Sequence, residues 1–373
     1  MKFFIYLTCF LLFISYSCNN NKKNDYFYKL EISEDKIFQL DSETVQETNL
    51  IQLLVQNDTL LFTFANEYDN SIVLYDYLSN RFISKIKFEK EGPNGVGHIT
   101  SYYYHSYDSI YIFNQWLEKI FLLNHQAKKQ NEFVFNVRTH ISSELSPPSP
   151  YPLTVAPIQK ISDILIFPGI QVSNDDNTFR PSTILYNLNT NDIKFVNNLP
   201  KLYKSMNWGH PIVYNYANTT FNKNKIILSL GADHNITVYD IEKDENKTFN
   251  AATKHYSDIK SFHLPENTDF QAMNDHYMSN LCYRNILFDC YRNVYYRFAC
   301  LPHPNYNKED KYLRRPISVI ILDSEFNIVG ETLLPEFEYL ILQTFVSPDG
   351  LQIQILSDDD DYMIFKTFKL VEL

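Results

Sequence analysis

The glycine-rich stretch EGPNGVG at residues 91–97 is the first candidate for chemistry, because closely spaced glycines can let backbone N–H groups surround a phosphate. A phosphate loop lies between a strand and a helix, so that the N–H groups at the start of the helix point at the anion. Here both flanking segments, SKIKFEK and HITSYYYHSYDSIYIF, are rich in residues that favour strands. No Lys-Ser/Thr pair follows the last glycine. The stretch is therefore predicted to connect two strands, with glycines that permit positive φ.

Isolated histidines, tryptophans and arginines are the other candidates for binding. His98 and His105 flank the glycine-rich stretch, and tryptophan rings can stack on sugar or peptide faces. Arginine can form two parallel hydrogen bonds with a carboxylate. The predicted ligand-binding residues are His98, His105, Trp116, Arg180, Trp208, His210 and Arg297. Aromatic packing would explain most of the rings without a ligand in a chain that holds 28 Tyr and 28 Phe.

Familiar catalytic and metal-binding motifs are absent from the sequence. It contains neither the G-x-S-x-G motif of serine hydrolases nor the H-E-x-x-H motif of zinc proteases. The run Asp358–Asp361 could suggest calcium, but EF-hand spacing is absent, so we expect a solvated hairpin tip. We predict no catalytic residues, no metal and no cofactor. Carboxylates and histidines from distant parts of the chain could still converge, which leaves a polysaccharide hydrolase or lyase as the alternative function.

Three cysteines, Cys282, Cys290 and Cys300, fall within one predicted hairpin. With DCYRN as a five-residue loop, Phe288 faces Val294. The same register places Cys282 opposite Cys300, and a disulfide between them is a hypothesis for an oxidising compartment. The alternative is three free, half-buried thiols. No Cys or His spacing suggests zinc.

The charge of the chain argues against nucleic acid as a partner. The formal net charge is −11, and Lys and Arg are scattered without a basic stripe. Nucleic-acid binding depends on clustered positive charge that neutralises phosphates. The partners that remain are a peptide, a glycan or another protein.

The N-terminal residues predict export. Residues 1–17, MKFFIYLTCFLLFISYS, contain one lysine and an apolar run too short for a membrane span, which is typical of a signal peptide. Residues 18–25 are polar and predict a flexible tether. Residues 26–373 then form a single predicted domain, and no further stretch is long and apolar enough to cross a membrane.

The segment SYSC at the end of the signal peptide resembles a bacterial lipobox, although Ser15 stands where leucine is usual. The resemblance implies cleavage before Cys18 and attachment of lipid to its thiol, so that the membrane is a partner through this anchor. Asn19 is not the aspartate associated with retention in the inner membrane, and the outer membrane is implied. The alternative is ordinary cleavage and plain secretion.

Strand-like runs that begin at a turn residue recur along the chain. Their starts lie 50 to 64 residues apart, which leaves room for about four strands in each unit. A second apolar run that ends at Asp or Asn follows most of them, such as SIVLYD at 71–76, because these side chains bond nearby backbone in turns. The recurring runs are DTLLFTF at 58–64, DSIYIFN at 108–114, DILIFPG at 163–169, NKIILSL at 224–230, NILFDCY at 285–291 and DGLQIQI at 349–355.

These repeats predict an all-β fold, a six-bladed β-propeller of four-stranded blades. The sixth unit ends the chain without an outer strand, whereas FYKLEI at 27–32 or KIFQL at 36–40 has no neighbouring partner. Pairing this N-terminal strand into the C-terminal blade would close the ring and remove two exposed sheet edges. The alternatives are a seven-bladed ring, with strands hidden in 250–282, and a pair of β-sandwiches. A helical signal occurs around 268–279.

The chain resembles uncharacterised Bacteroidetes lipoproteins with six-bladed, TolB-like or NHL-like propellers. The features that carry the resemblance are the signal peptide with its lipobox, the Asn-, Lys-, Ile-, Phe- and Tyr-rich composition, the Gly-Pro loop before DSIYIF, and the segment ILFDCYRNVYYRF. The resemblance covers nearly the whole chain and implies a fold and a location, not a reaction. The sequence thus predicts a lipid-anchored propeller of the cell envelope that acts as a binding or scaffold module rather than as an enzyme.

Overall fold

The computed structural model describes residues 26–171, 179–263 and 269–373. The predicted signal peptide, the tether and the lipidation site Cys18 lie outside the described residues. Runs of apolar, β-branched and aromatic residues form strands, and strands dominate the described chain. In chain order the strands are β1 Tyr28–Ile32, β2 Lys36–Gln39, β3 Ile51–Gln56, β4 Thr59–Asn66, β5 Ser71–Asp76, β6 Arg81–Lys87, β7 Ser101–Ser106, β8 Ser109–Asn114, β9 Lys119–Leu123, β10 Lys129–Val134, β11 Ser149–Pro150, β12 Gln159–Ile161, β13 Ile164–Ile170, β14 Pro181–Asn187, β15 Ile193–Asn198, β16 Asn218–Asn222, β17 Lys225–Ser229, β18 Asn235–Asp240, β19 Glu245–Asn250, β20 Cys282–Asp289, β21 Val294–Cys300, β22 Ile317–Leu322, β23 Ile328–Leu333, β24 Tyr339–Ser347, β25 Gly350–Ile355 and β26 Tyr362–Glu372.

Short helices lie in the connections between sheets. They are a 3-10 helix Val137–His140, α1 Leu202–Ser205, α2 Pro211–Tyr214 and α3 Phe270–Ser279. Helix α3 confirms the helical signal around 268–279, and the side chain of Asp269 caps its first turn by accepting a hydrogen bond from the Gln271 N–H. The described part of 251–281 contains α3 and no strand, so the strands that a seventh blade would need are not found there.

Four separate sheets follow one another along the chain, and their neighbouring strands are antiparallel. Their strand orders are β3-β4-β5-β6, β7-β8-β9-β10, β13-β14-β15 with both β11 and β12 on β13, and β16-β17-β18-β19. The glycine-rich stretch 91–97 joins β6 to β7 and is therefore a connector between neighbouring sheets, as the sequence predicts.

One turn recurs in five repeats and explains the Asp or Asn at the end of the second apolar run. The Oδ1 atom of this residue accepts hydrogen bonds from two backbone N–H groups in the turn that follows. The predicted turn chemistry is thus confirmed. The residues are Asp76, Asn124, Asn187, Asp240 and Asp323.

The remaining strands form one nine-stranded sheet that contains both ends of the described chain. Its order is β20-β21-β22-β23-β1-β26-β25-β24, with β2 also paired to β26. Strand β1 runs antiparallel to β26 from Tyr28 opposite Glu372 to Ile32 opposite Phe368. The predicted pairing of the N-terminal strand with the C-terminal unit is present, and both candidate segments take part in it. Instead of six separate sheets, the described residues form four separate sheets and this larger one.

A single parallel residue pair, Tyr28 opposite Gly330, joins the two halves of the nine-stranded sheet. A Cβ atom at position 330 would collide with the backbone carbonyl of Tyr28. Glycine is therefore required where β1 meets β23, since the two backbones approach too closely for a side chain.

The core is divided into clusters of buried residues that each lie between consecutive repeats of the propeller-like fold. The cluster between the last repeat and the first is built around Phe38 of β2, which is fully buried. Its ring stacks on Phe62 of β4 with 4.2 Å between the ring centroids, and it meets Phe365 of β26 edge to face. Strand β2 therefore packs the C-terminal repeat against the first sheet.

Candidate functional site

We call the first strand of each repeat an inner strand, and β16, β20, β24, β3 and β7 lie side by side in this order. The inner strands are β3, β7, β12, β16, β20 and β24. Side chains bridge them: Gln52 Nε2 donates to Tyr104 O at 2.8 Å, Thr220 Oγ1 accepts from Phe288 N at 3.0 Å, and Asn285 Nδ2 donates to Ile341 O at 2.5 Å. These bonds hold inner strands of neighbouring repeats together, and the starts of β20 and β24 lie beside each other.

A cavity of about 730 Å³ lies at these starts, and we call it the axial cavity. Its walls come from the segment before β3, from the starts of β20 and β24, and from helices α2 and α3. Its rim is exposed at Val45 and Tyr68, whereas Arg284, Tyr277 and Leu340 are buried. The cavity is therefore open to solvent at its rim and lined by buried side chains farther in.

Two irregular strand pairings face this cavity. The register of β20 against β21 shifts between Tyr283 and Ile286, and that of β24 against β25 shifts between Leu340 and Thr344. Extra residues of this kind leave the ladder, increase the local twist and redirect side chains. The extra residues include Arg284 and the segment 341–343, and all of these line the axial cavity.

Arg284 is buried, with only 7% of its surface exposed. Among the residues that the structure describes, no hydrogen bond or ion pair involves its guanidinium, and its Nε atom is enclosed without a partner. Burial opposes the charged form of Arg284, but side chains led by Tyr277 and Cys282 favour it, and its pKa lies above the ordinary value. The axial cavity therefore holds a buried positive charge whose donors are free.

Two other buried arginines of the same repeat show how such a group is normally satisfied. Arg297 on β21 is fully buried and uses all its N–H groups: Nε donates to Ser229 Oγ at 2.9 Å, and Nη1 and Nη2 donate to four backbone carbonyls. Arg315 donates to backbone carbonyls that include Cys300 O at 2.6 Å. Both side chains tie loops together, and Arg284 does not.

The rim of the axial cavity carries its own polar group. Glu47 accepts a hydrogen bond from the Tyr312 hydroxyl at 2.6 Å and lies 3.9 Å from Lys311 Nζ. Lys311 also lies over the Tyr312 ring, 4.5 Å from its centroid. The lysine charge at the rim is therefore already paired, unlike that of Arg284.

A second cavity of about 330 Å³, the loop cavity, brings together two predicted residues. His98 and Trp116 both line it, and both are exposed. Asn49 and Glu67 border this cavity and the axial cavity alike, so the two open at the same end of the molecule.

The glycine-rich connector beside the loop cavity is held by two asparagines. Asn70 Nδ2 donates to Gly97 O at 3.0 Å, and Asn114 Nδ2 donates to Val96 O and His98 O, each at 2.9 Å. These bonds use side chains to fix the connector backbone, in keeping with the structural role that the sequence predicts for it.

The other predicted residues do not join the two cavities. His105 on β7 is exposed and stacks on Tyr103. Arg180 Nη2 donates to Tyr203 O at 2.6 Å, and Trp208 is buried in the core with its Nε1 on Leu202 O at 3.3 Å. Arg297 has no donor left for a ligand and lines neither cavity.

His210 lies near the axial cavity and interacts electrostatically with Arg284. Its ring packs against Phe270, and its Nδ1 atom is buried without a hydrogen-bond partner in the described part of the chain. Burial and, after it, the charge of Arg284 lower the pKa of His210. The histidine is therefore held in its neutral form beside the site.

Cys282 and Cys300 lie directly opposite each other, as the sequence predicts, but by a different route. The hairpin loop is one residue shorter than predicted, so that Phe288 faces Tyr295 instead of Val294. The extra residues around Arg284 then shift the pairing back by one. Cys282 and Cys300 are both buried and Cys290 is exposed, and the disulfide between the two buried cysteines stays a prediction.

Sequence reasoning missed Arg284, although a signal was present. The segment CYRNILF at 282–288 is apolar except for two adjacent polar residues, Arg284 and Asn285. Adjacent residues of a regular strand point to opposite sides, so a polar pair inside a buried strand indicates an irregularity. That irregularity places Arg284 in the wall of the axial cavity.

Within residues 26–171, 179–263 and 269–373, no three His, Cys, Asp or Glu side chains are grouped so that they could hold a metal ion. Over the same ranges, no helix combines the length and apolar character needed to cross a membrane.

Comparison with known proteins places the chain in a family. Residues 28–333 match the family model described as Domain of unknown function (DUF4221). A crystal structure of a DUF4221 member from Bacteroides vulgatus superposes with a TM-score of 0.78 at 19% identity, over 94% of this chain and 100% of that one. A Bacteroides fragilis structure named "Putative exported protein" gives a TM-score of 0.54 at 12% identity, over 92% and 96% of the two chains. No curated protein matches the sequence. The chain therefore belongs to the DUF4221 family.

Proposed function

We propose that this protein is a binding module of the cell envelope that holds a ligand in the axial cavity. The observation that carries the proposal is Arg284, a buried cation without a protein partner that lines a cavity of about 730 Å³. Pockets for small ligands typically measure about 300–1,000 Å³ and combine apolar walls with a few polar groups. The axial cavity has this size and this composition.

The proposed scaffold is a ring of six blades. The nine-stranded sheet then counts as two blades joined at the pair Tyr28–Gly330. Six sequence repeats support this count, and so do buried clusters at six successive interfaces, the last of which joins β2 and β26 to the first sheet. A closed ring brings the starts of all inner strands to one mouth, where ligands of propellers can meet residues from several blades.

The proposed location is the outer membrane, with a lipid on Cys18 and the polar residues 18–25 as a tether. The predicted signal peptide and lipobox support it, and the Bacteroides fragilis relative is named as an exported protein. Several acyl chains would be needed for stable anchoring, because a single chain binds membranes only marginally.

Binding is favoured over polysaccharide hydrolysis by the carboxylates of the axial cavity. Glycoside hydrolysis needs two carboxyl groups that flank the scissile bond, one of them as an acid. Among the described residues that line the cavity, the carboxylates are Glu47 and Glu67, and Glu47 is already bonded to Tyr312 and paired with Lys311. The cavity is therefore better suited to binding a ligand than to hydrolysing a glycosidic bond.

A blocking variant tests the proposal. Peptide and oligosaccharide libraries are screened against the immobilised protein, and each hit is measured again with Val45→Trp, which places a large ring at the rim of the axial cavity. The control is Val55→Trp on β3, a more exposed valine outside that cavity. We expect Val45→Trp to abolish binding and Val55→Trp to retain it. Hits that bind both variants alike, or that are cleaved by the protein, would contradict the proposal.

A further inference from the structure

We propose that the group recognised in the axial cavity is a single carboxylate, carried by an apolar organic body and bound by Arg284. This inference rests on the proposed function, since it names the ligand class of the same cavity.

The free donors of Arg284 are the first step of the argument. A buried cation without a partner is costly, and proteins normally pair it or satisfy it with hydrogen bonds. Arg297 and Arg315 are satisfied in this way by backbone carbonyls. Arg284 has neither kind of partner among the described residues, yet the irregularity in β20 brings it to the cavity. An anionic ligand would supply the hydrogen-bond acceptors and the opposite charge that Arg284 lacks.

The shape of the guanidinium is the second step. Its planar N–H groups match the two oxygens of a carboxylate in a pair of parallel hydrogen bonds. The terminal nitrogens Nη1 and Nη2 of Arg284 make no hydrogen bond with the described residues, so this pair of donors is available to one ligand group, whereas Nε is enclosed. Lysine could replace it only in part, because an ammonium supplies a point charge without the paired N–H groups.

The balance of charge limits the ligand to one negative charge. Glu47 and Glu67 border the cavity, and Lys311, the other cation there, already lies beside Glu47. A phosphate dianion would therefore meet one unpaired cation and two carboxylates in the described surroundings, within a chain of net charge −11. A monocarboxylate needs only Arg284.

The walls of the cavity indicate an apolar body behind the carboxylate. Val213, Leu340 and the segment 341–342 line it together with the rings of Tyr277 and Tyr339. Sugar acids carry hydroxyl groups that would lose their hydrogen bonds against such walls. A phenyl or branched alkyl group would instead gain from leaving water.

The test compares acids with amides of the same shape. The probes are 3-phenylpropanoate, 3-phenylpropanamide, N-acetylphenylalanine and its amide, glucuronate, and inorganic phosphate. Binding is measured by titration and by the NMR signal of the Arg284 Nε–H group, which Arg284→Met identifies. We expect the acids to bind about 10- to 100-fold more tightly than their amides, because hydrogen bonds to charged groups are the strong ones. A stronger response to N-acetylphenylalanine than to 3-phenylpropanoate would identify the C-terminus of a peptide as the source of the carboxylate.

Variants show whether Arg284 is responsible. Arg284→Met should bring the acid and the amide to equal affinity, Arg284→Lys should recover only part of the difference, and the exposed Arg138→Met should change nothing. Thermal unfolding of each variant checks that it is folded. Discrimination that survives in Arg284→Met would overturn the inference, as would a shift of the Nε–H signal caused by phosphate or glucuronate but not by 3-phenylpropanoate.

The outcomes also separate this inference from the proposed function. If the acid and the amide bind wild type equally and both lose binding in Val45→Trp, carboxylate recognition is disproved. Ligand binding in the axial cavity, the proposed function, is then still supported. Probes that bind Val45→Trp as well as wild type would instead show that the cavity is not the binding site.

Discussion

Arg284 and Arg297 lie on two paired strands of one sheet, both buried, yet Arg297 donates to five acceptors and Arg284 donates to none among the described residues. The difference comes from the register shift in β20, which removes Arg284 from the ladder. One arginine therefore stabilises the fold, whereas the other is left for a ligand.

Replacing each arginine by methionine should have opposite effects on stability. Arg297→Met leaves buried carbonyls without donors and should lower the free energy of unfolding by about 3–5 kcal/mol. Arg284→Met removes an unpaired buried charge and should raise it, by about 1 kcal/mol. Urea unfolding of both variants measures the effects. A large loss of stability in Arg284→Met would mean that its guanidinium has a structural partner.

Phe38 should be essential for the contact between the C-terminal repeat and the first sheet. It is fully buried and stacks on Phe62, so Phe38→Ala should cost about 3–5 kcal/mol of the free energy of unfolding. Phe27 lies near the same end of the chain but is 59% exposed, and Phe27→Ala serves as the control with little expected effect. Equal losses in the two variants would contradict the packing role of β2.

Gly97 should tolerate alanine less well than Gly92 does. Both have positive φ, +68° and +89°, which costs any other residue energy. A Cβ atom at Gly97 would also collide with Asn114 Nδ2, whereas at Gly92 the nearest atom is Glu89 Oε2 at 3.6 Å. We expect a loss of about 2–3 kcal/mol for Gly97→Ala and about 1 kcal/mol for Gly92→Ala in urea unfolding. The reverse order would show that the asparagine can move aside.

Much of the fold follows from local signals in the sequence. The repeated Asp and Asn residues, such as Asp76 and Asp240, close the same turn by the same side-chain hydrogen bonds that made them predictable. The unpaired N-terminal strand also pointed to its partner in the C-terminal unit. Local sequence signals could not predict that two repeats join into one nine-stranded sheet. This joining depends on the close approach of Tyr28 and Gly330, which lie 302 positions apart in the chain.

The candidate site was harder to predict because it depends on register. His98 and Trp116 share a cavity, and the position of the connector beside them could be inferred. Arg284 was missed: its polar pair with Asn285 indicates an irregularity in β20, but the register shift itself becomes visible only when β20 is paired with β21. The same shift explains why Cys282 lies opposite Cys300 as predicted, although the hairpin loop was predicted one residue too long.

Chemical labelling should distinguish Cys290 from Cys282 and Cys300. At neutral pH an alkylating reagent should modify Cys290 in the native protein and spare the other two, which are buried. After unfolding without reductant, all three should react, as shown by peptide mass mapping. Reaction of Cys290 alone after unfolding would show that Cys282 and Cys300 are joined by a disulfide in the exported protein.

Stability should fall at alkaline pH, in part through Cys282. Burial raises the pKa of this thiol from about 9 to about 12, so the unfolded chain ionises above pH 9 while the folded chain stays protonated. The stability that the protonated thiol contributes is complete below pH 9 and is lost as the pH rises towards 12, by about 1.4 kcal/mol at one unit above pH 9. Cys282→Ala should flatten this decline in urea unfolding, and Cys290→Ala, at the exposed position, should flatten it less. Identical pH profiles for wild type and Cys282→Ala would show that the thiol is not protected by burial.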